Sequence, residues 1–182
     1  EESIFPSVIV ERSTRVAPLV VPYDSRNQYA AAMDPATRGN AWTLVIASKD
    51  TSNRKQIVFN QQWIGSTADP LSPLEVLGEI AEVLGKYHLG WVYSDQWSAD
   101  ALKQLALQKG IALVQEDWTA KNRVDCFLSL AASMSNGDIE LPPDKQIADD
   151  LKGVYRTSSA NGPSIVLPRS RGGRHSDYAV AI

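Results

Sequence analysis

Shortages in this sequence exclude several classes of protein. Its 182 residues include one cysteine, Cys126, so the chain can form neither an internal disulfide nor a cysteine-based zinc site. The longest apolar run, residues 17–22, is far shorter than the ~18 residues that a membrane-spanning helix needs. No signal-peptide pattern opens the chain. These features favour a reducing, cytosolic setting and no membrane contact.

The sequence also lacks the overall basic excess that is typical of nucleic-acid-binding domains, since 21 acidic residues outnumber 18 basic ones. The charge is unevenly distributed, however. Residues 138–150 are mostly acidic, whereas residues 151–182 carry a basic excess. A polyanion could be held by this second segment. Scattered surface charge that keeps the protein soluble is the equal alternative.

Two common catalytic motifs are missing. Gly39 and Gly85 lack the companion residues of a phosphate-binding P-loop, which argues against an ATPase of that type. No G-x-S-x-G sequence occurs, which argues against a Ser–His–Asp hydrolase.

The chain divides into a lead-in segment, residues 1–27, and one α/β domain, residues 28–182. Prolines punctuate the lead-in, whose apolar pieces Val8–Val10 and Leu19–Val21 could pair only along a sheet edge. Because the chain begins at Glu1 and not at Met, we expect it to be part of a longer protein.

The domain begins with three apolar segments that are joined by short loops. Because such loops can connect only antiparallel neighbours, the pattern predicts antiparallel strands over Gln28–Met33, Ala41–Lys49 and Gln56–Ile64. Helical and strand patterns then alternate, which predicts parallel strands with right-handed crossovers. The predicted segments are helix Pro73–His88, strand Trp91–Asp95, a helix capped by Ser98, strand Ile111–Val114, and a helix from Thr119 to Asn136.

A C-terminal extension follows these units. Its predicted parts are helix Lys145–Tyr155, a turn at Asn161–Pro163, strand Ser164–Leu167, a basic loop Ser170–Arg174, and a helix starting at Ser176.

Two aspartates occupy equivalent places, because Asp34 ends the first domain strand and Asp95 ends the fourth. If these strands are parallel neighbours, both side chains lie at the edge where α/β sheets bind ligands. Two carboxylates this close repel each other unless a cation neutralises them, and a hard divalent ion suits oxygen ligands. Asp177, at the start of the last helix, is the candidate for a third carboxylate, which would allow two ions.

Structural roles are open for each of these residues. Asp34 precedes Pro35 and could serve a turn, while Asp95 and Asp177 could complement helix N-termini. His175 alone is typical of a surface histidine.

Together these features produce a resemblance. The order of three strands followed by strand–helix units, with Asp on the first strand, the fourth strand and a late helix, resembles the ribonuclease H-like superfamily. Within it, three motifs are similar to those of the nuclease domain of the bacteriophage large terminase subunit. They are Met33-Asp-Pro-Ala-Thr-Arg-Gly-Asn-Ala-Trp42, Val92-Tyr-Ser-Asp95 and His175-Ser-Asp-Tyr-Ala-Val180.

The resemblance implies a mixed five-stranded ribonuclease H-like sheet flanked by helices, with a C-terminal strand, loop and helix extension. It implies a site in which Asp34, Asp95 and Asp177 bind two divalent ions, Mg²⁺ or Mn²⁺, with His175 as a neighbouring catalytic group. It also implies that basic residues hold the DNA backbone, namely Arg169, Arg171, Arg174, Lys121 and Arg123.

By the same resemblance, the protein is a metal-dependent endonuclease that cuts concatemeric viral DNA during genome packaging, by two-metal phosphodiester hydrolysis. Its expected partners are double-stranded DNA, an ATPase motor in the same full-length chain, a portal protein and a small terminase subunit. Its expected location is the cytoplasm of the infected bacterial host. Residues 1–27 would be the end of a linker from the motor.

Other functions stay open. The chain could be another ribonuclease H-like nuclease, such as a junction resolvase, an integrase or an RNA-strand nuclease. It could also be a catalytically silent α/β module that binds nucleic acid or a protein partner through residues 151–182.

Overall fold

A computed structural model describes residues 2–159, 162–167 and 177–182. The elements in chain order are β1 (Glu2–Ser3), α1 (Ser7–Ser13), β2 (Gln28–Asp34), β3 (Ala41–Lys49), β4 (Lys55–Ile64), α2 (Pro73–Lys86), β5 (Trp91–Asp95), α3 (Gln96–Gln108), β6 (Ala112–Glu116), α4 (Ala120–Asn136), β7 (Ile139–Glu140), α5 (Lys145–Lys152), β8 (Tyr155–Ser159), β9 (Gly162–Val166) and α6 (Asp177–Ala181).

The central sheet is mixed and has the strand order β6-β5-β2-β3-β4-β7. Strands β2, β3 and β4 are antiparallel neighbours, while β5 pairs in parallel with both β2 and β6. The predicted five-stranded core is therefore confirmed. A sixth strand, β7, has only two residues and pairs with β4 in parallel. A second, three-stranded sheet has the order β1-β8-β9.

At the centre of the sheet, along β3, both faces are buried because helices cover each of them. Along β3, Leu44 and Ile46 join the core beneath α2 and α3, whereas Val45 joins the core beneath α4, α5 and α6. Burial on both faces explains why the sequence of β3 reads as a nearly continuous apolar run rather than an alternating one.

The first residues of the chain pack into this domain, which the lead-in interpretation did not anticipate. Residues Val8–Val10 lie in helix α1 and not in an extended edge piece, so that prediction is wrong. Pro6 directly precedes the helix, where the missing proline N–H costs nothing because the first helical N–H groups have no intrahelical partner. Phe5 and Val10 are fully buried, and β1 pairs with β8.

Two predicted helix boundaries also differ from the structure. Helix α3 begins at Gln96, directly after β5, so Ser98 is the third residue of the helix and not the residue that precedes it. Helix α5 ends at Lys152, and Tyr155 belongs to β8, where it pairs with Ser3 and Val166. In contrast, Thr119 caps α4 as predicted, and Gly137 ends it in the left-handed conformation. In the described ranges, every helix is too short or too polar to cross a bilayer.

Candidate metal centre

The register between two parallel strands brings Asp34 and Asp95 to the same edge of the sheet. Ala32 of β2 pairs with Tyr93 of β5, and each aspartate lies two residues further along its strand. Because side chains alternate between faces along a strand, a separation of two places both carboxylates on the same face as well. The predicted juxtaposition of these two strand ends is present in the structure.

Asp177 reaches this region from the other end of the sequence. It is the first residue of α6, a short helix that packs against β2 and β3, and it is only 2% exposed. The backbone N–H of Ala41 donates a hydrogen bond of 3.1 Å to Asp177 Oδ2. The Thr43 hydroxyl donates one of 3.3 Å to the Asp177 backbone carbonyl. The start of β3, next to β2, therefore orients both the side chain and the backbone of Asp177.

The three carboxylates share one electrostatic environment. Burial, followed by the negative charges of Asp95 and Asp177, raises the pKa of Asp34 from 3.8 to about 7. A carboxyl group in this position holds a proton near neutral pH unless a cation compensates the charge. The donor chemistry of this edge therefore suits a positively charged ligand.

Asp34 and Asp95 face a cavity of about 300 Å³. Its walls come from β2, β5 and β6, from Trp118 before α4, from Cys126 within α4, and from the end of α6. Asp177 does not line the cavity, although Val180 and Ala181 of its helix and the following residue, Ile182, do. A larger cavity of about 700 Å³ lies around Gln28 and Lys49, at the opposite end of β2 and β3, and does not include these aspartates.

The cavity also contains residues that sequence reasoning missed. Glu116 ends β6 and pairs in register with Asp95, so it adds a further carboxylate at the same sheet edge. The rule that finds Asp34 and Asp95, a carboxylate at the end of a parallel strand, applies to Glu116 as well, but the predicted strand ended at Val114 and so did not include it. Cys126 lines the cavity too, and burial together with the charges of Glu116 and Asp125 raises the pKa of its thiol.

Within residues 2–159, 162–167 and 177–182, no three histidine, cysteine or acidic side chains are already arranged around one ion. The two carboxylates that line the cavity, Asp34 and Asp95, fit Mg²⁺, which usually takes one or two protein carboxylates and completes its shell with waters and substrate phosphates.

Two of the predicted basic residues lie on the first turn of α4. Lys121 is exposed, and the Arg123 guanidinium lies 5.8 Å from the centre of the Trp118 ring, which lines the cavity. Trp118 also packs against Phe127 of α4. The remaining predicted residues, His175, Arg169, Arg171 and Arg174, lie outside the described residues.

No family model matches this sequence, and no curated protein sequence matches it. The fold, however, is the ribonuclease H-like fold, with a mixed sheet and acidic residues at its edge. More particularly, it is the form of that fold found in the nuclease domains of phage large terminases, as the sequence motifs predict.

Three solved proteins illustrate this likeness. The large terminase of bacteriophage HK97 has a TM-score of 0.78 and 18% identity, covering 99% of this chain and 42% of the terminase. The large terminase nuclease of thermophilic phage G20c has a TM-score of 0.75 and 18% identity, covering 100% of this chain and 95% of the nuclease. The G20c nuclease with bound magnesium has a TM-score of 0.74, and its cobalt-bound form 0.73.

The third is the large terminase of another thermophilic bacteriophage, solved in complex with ADP, with a TM-score of 0.65 and 18% identity. That likeness covers 87% of this chain and 40% of the ADP-bound terminase. This chain therefore spans less than half of the length of the complete terminases that it resembles and nearly all of the isolated nuclease domain.

Proposed function

We propose that this chain is a divalent-metal-dependent DNA endonuclease of the terminase type, which cuts concatemeric viral DNA during packaging. The observation that carries the proposal is the shared charge environment of Asp34, Asp95 and Asp177, three residues that are remote in sequence. The magnesium- and cobalt-bound structures of the similar G20c nuclease support a metal-dependent reaction.

In this proposal, Asp34, Asp95 and Asp177 hold two divalent ions, Mg²⁺ or Mn²⁺. Such ions lower the pKa of water and stabilise the negative charge that develops on the phosphate and on the leaving oxygen. Asp34 and Asp95 line the cavity, and the Ala41 N–H holds the nearby Asp177 carboxylate through a hydrogen bond. Glu116 adds negative charge beside Asp95, which increases the attraction for cations. His175 is proposed as a neighbouring proton-handling group.

We further propose that Lys121 and Arg123, together with Arg169, Arg171 and Arg174, hold the DNA backbone. The position of Arg123 against Trp118, at a wall of the acidic cavity, supports its inclusion. Phosphate contacts of this kind carry no sequence information, so the domain should cut DNA with little sequence preference.

The likeness to complete terminases supports a wider assignment. We propose that the full-length protein carries an ATPase motor, as suggested by the ADP complex of the similar terminase described above. In this proposal it works with a portal protein and a small terminase subunit in the cytoplasm of the infected bacterium.

A plasmid cleavage assay tests the central proposal. Supercoiled plasmid is incubated with the protein and Mn²⁺ or Mg²⁺, with EDTA as a parallel reaction, and with the variants Asp95→Asn and Asp177→Asn. We expect cleavage only with metal, and a loss of at least 100-fold in either variant. Asp100→Asn, an exposed aspartate of α3, is the matched control and should cleave like wild type.

The outcomes separate the alternatives. Cleavage that survives EDTA or the Asp95→Asn change would refute the metal-nuclease proposal. Preferential cutting of a four-way junction or of an RNA–DNA hybrid would favour another ribonuclease H-like activity. Salt-sensitive DNA binding without cleavage would favour a silent binding module.

A further inference from the structure

Asp150 is a buried acid whose role the proposed reaction does not explain. It lies in α5 and is only 4% exposed. Burying a carboxylate is costly unless hydrogen bonds compensate for the lost water. Gln146 Nε2, one turn earlier in α5, donates a hydrogen bond of 2.6 Å to Asp150 Oδ1. The backbone N–H of Tyr178 donates one of 3.1 Å to Asp150 Oδ2.

The second of these bonds joins Asp150 to the helix that carries Asp177. Helix α6 has five residues, which is far too short to be stable without tertiary contacts. The first N–H groups of any helix lack intrahelical acceptors and carry partial positive charge. The Asp150 carboxylate supplies both an acceptor and a negative charge at the first turn of α6, and it does so at Tyr178, the residue next to Asp177.

Neighbouring contacts fix the same turn from the sheet side. Asn60 Nδ2, on β4, donates a hydrogen bond of 3.3 Å to the Tyr178 hydroxyl and one of 2.7 Å to Asp144 Oδ2. Thr43 and Ala41 bind the backbone and the side chain of Asp177, as described above. Helix α6 is thus held between the sheet and α5, and Asp150 supplies a hydrogen bond on the α5 side.

We propose that Asp150 is a positioning residue that fixes the location of the Asp177 carboxylate and thereby the metal affinity of the site. This inference rests on the proposed metal-binding role of Asp34, Asp95 and Asp177. Asp150 does not line the acidic cavity and acts through helix α6. Removing an outer residue that orients a ligand typically costs 10- to 100-fold in metal affinity.

The test compares Mn²⁺ affinity, measured by isothermal titration calorimetry without DNA, in wild type, Asp150→Ala and Asp150→Asn. We expect Asp150→Ala to weaken Mn²⁺ binding by about 10-fold or more while the far-ultraviolet circular dichroism spectrum is unchanged. Asp150→Asn keeps an oxygen that can accept the hydrogen bond from the Tyr178 N–H. Its Mn²⁺ affinity should therefore stay close to that of wild type and well above that of Asp150→Ala. A role in stability alone would leave Mn²⁺ affinity unchanged in each folded variant.

Asp149→Ala is the matched control. Asp149 is the preceding residue of α5, and its carboxylate is half exposed and paired with Lys145 at the surface. It should bind Mn²⁺ like wild type. If Asp150→Ala does not fold, Asp150→Ser replaces it. The serine side chain is smaller than that of aspartate and leaves room for water, but it is too short to accept the hydrogen bond from the Tyr178 N–H. The same loss is expected.

Wild-type affinity in a folded Asp150→Ala or Asp150→Ser protein would overturn this inference while leaving the proposed function intact. Failure of the wild-type protein to bind Mn²⁺ would overturn the proposed metal site, and the inference with it.

Discussion

Replacement of Asp34 by asparagine should make the metal-free protein more stable at high pH. The pKa of Asp34 is about 7 in the folded protein and near 3.8 in the unfolded chain. Between these two values the folded state binds the extra proton, so wild-type stability falls as pH rises. Asparagine cannot ionise and therefore does not suffer this loss.

The size of the effect follows from linkage. Each pKa unit corresponds to about 1.4 kcal/mol, so the full destabilisation above pH 8 is roughly 4 kcal/mol. About 2–3 kcal/mol of that loss develops between pH 5 and pH 8. The difference in unfolding free energy between Asp34→Asn and wild type should therefore shift in favour of the variant by that amount over this range.

Urea unfolding in EDTA at pH 5, 6, 7 and 8 measures this difference directly. Asp100→Asn, which removes an exposed carboxylate, should show no comparable trend. Adding Mn²⁺ at pH 8 should reverse the order, because a bound cation stabilises wild type more than the variant. A difference between Asp34→Asn and wild type that is independent of pH would refute the proposed charge environment of the site.

Two further predictions concern DNA binding and the close packing around Gly65. The double variant Lys121→Ala/Arg123→Ala should weaken DNA binding. It should also lower the slope of log affinity against log salt by about 0.9 for each phosphate that is no longer neutralised. Lys103→Ala, which changes an exposed lysine on α3, is the control and should alter neither the affinity nor the slope. An unchanged slope in filter-binding titrations would exclude these residues from the DNA interface. Gly65→Ala should destabilise the protein by about 1–3 kcal/mol in urea unfolding, because the new Cβ would lie 2.5 Å from the Thr37 carbonyl oxygen and 2.8 Å from the Leu71 nitrogen. Gly90→Ala, where nothing lies within 4 Å, is its control, and equal effects of the two substitutions would contradict this reasoning.

Much of the fold could be predicted because local patterns and long-range packing agree in the sheet and around α4. Strands β3 and β5 have the predicted bounds, and Thr119 and Gly137 mark the ends of α4. The two-residue strands β1 and β7 could not be found, since two residues show no periodicity.

The site was only partly predictable, for physical reasons. Asp34 and Asp95 follow recognisable strands, so their meeting could be expected. Glu116 ends β6, a strand whose residues are largely exposed. Because such a strand has only a weak apolar pattern, its end was predicted too early, at Val114. Asp150 was missed because a charged residue in an amphipathic helix normally faces water. Its burial comes from α6 packing onto α5, a contact that no local pattern indicates.

The late position of α6 in the sequence affects when the site can exist. During synthesis, Asp34 and Asp95 emerge from the ribosome long before Asp177, and the wall formed by Val180 to Ile182 emerges later still. A nascent polypeptide that has not reached α6 therefore lacks both a carboxylate and one side of the cavity. For an endonuclease of the proposed kind, which cuts with little sequence preference, this order of appearance delays the ability to cut DNA until the rest of the domain has been made.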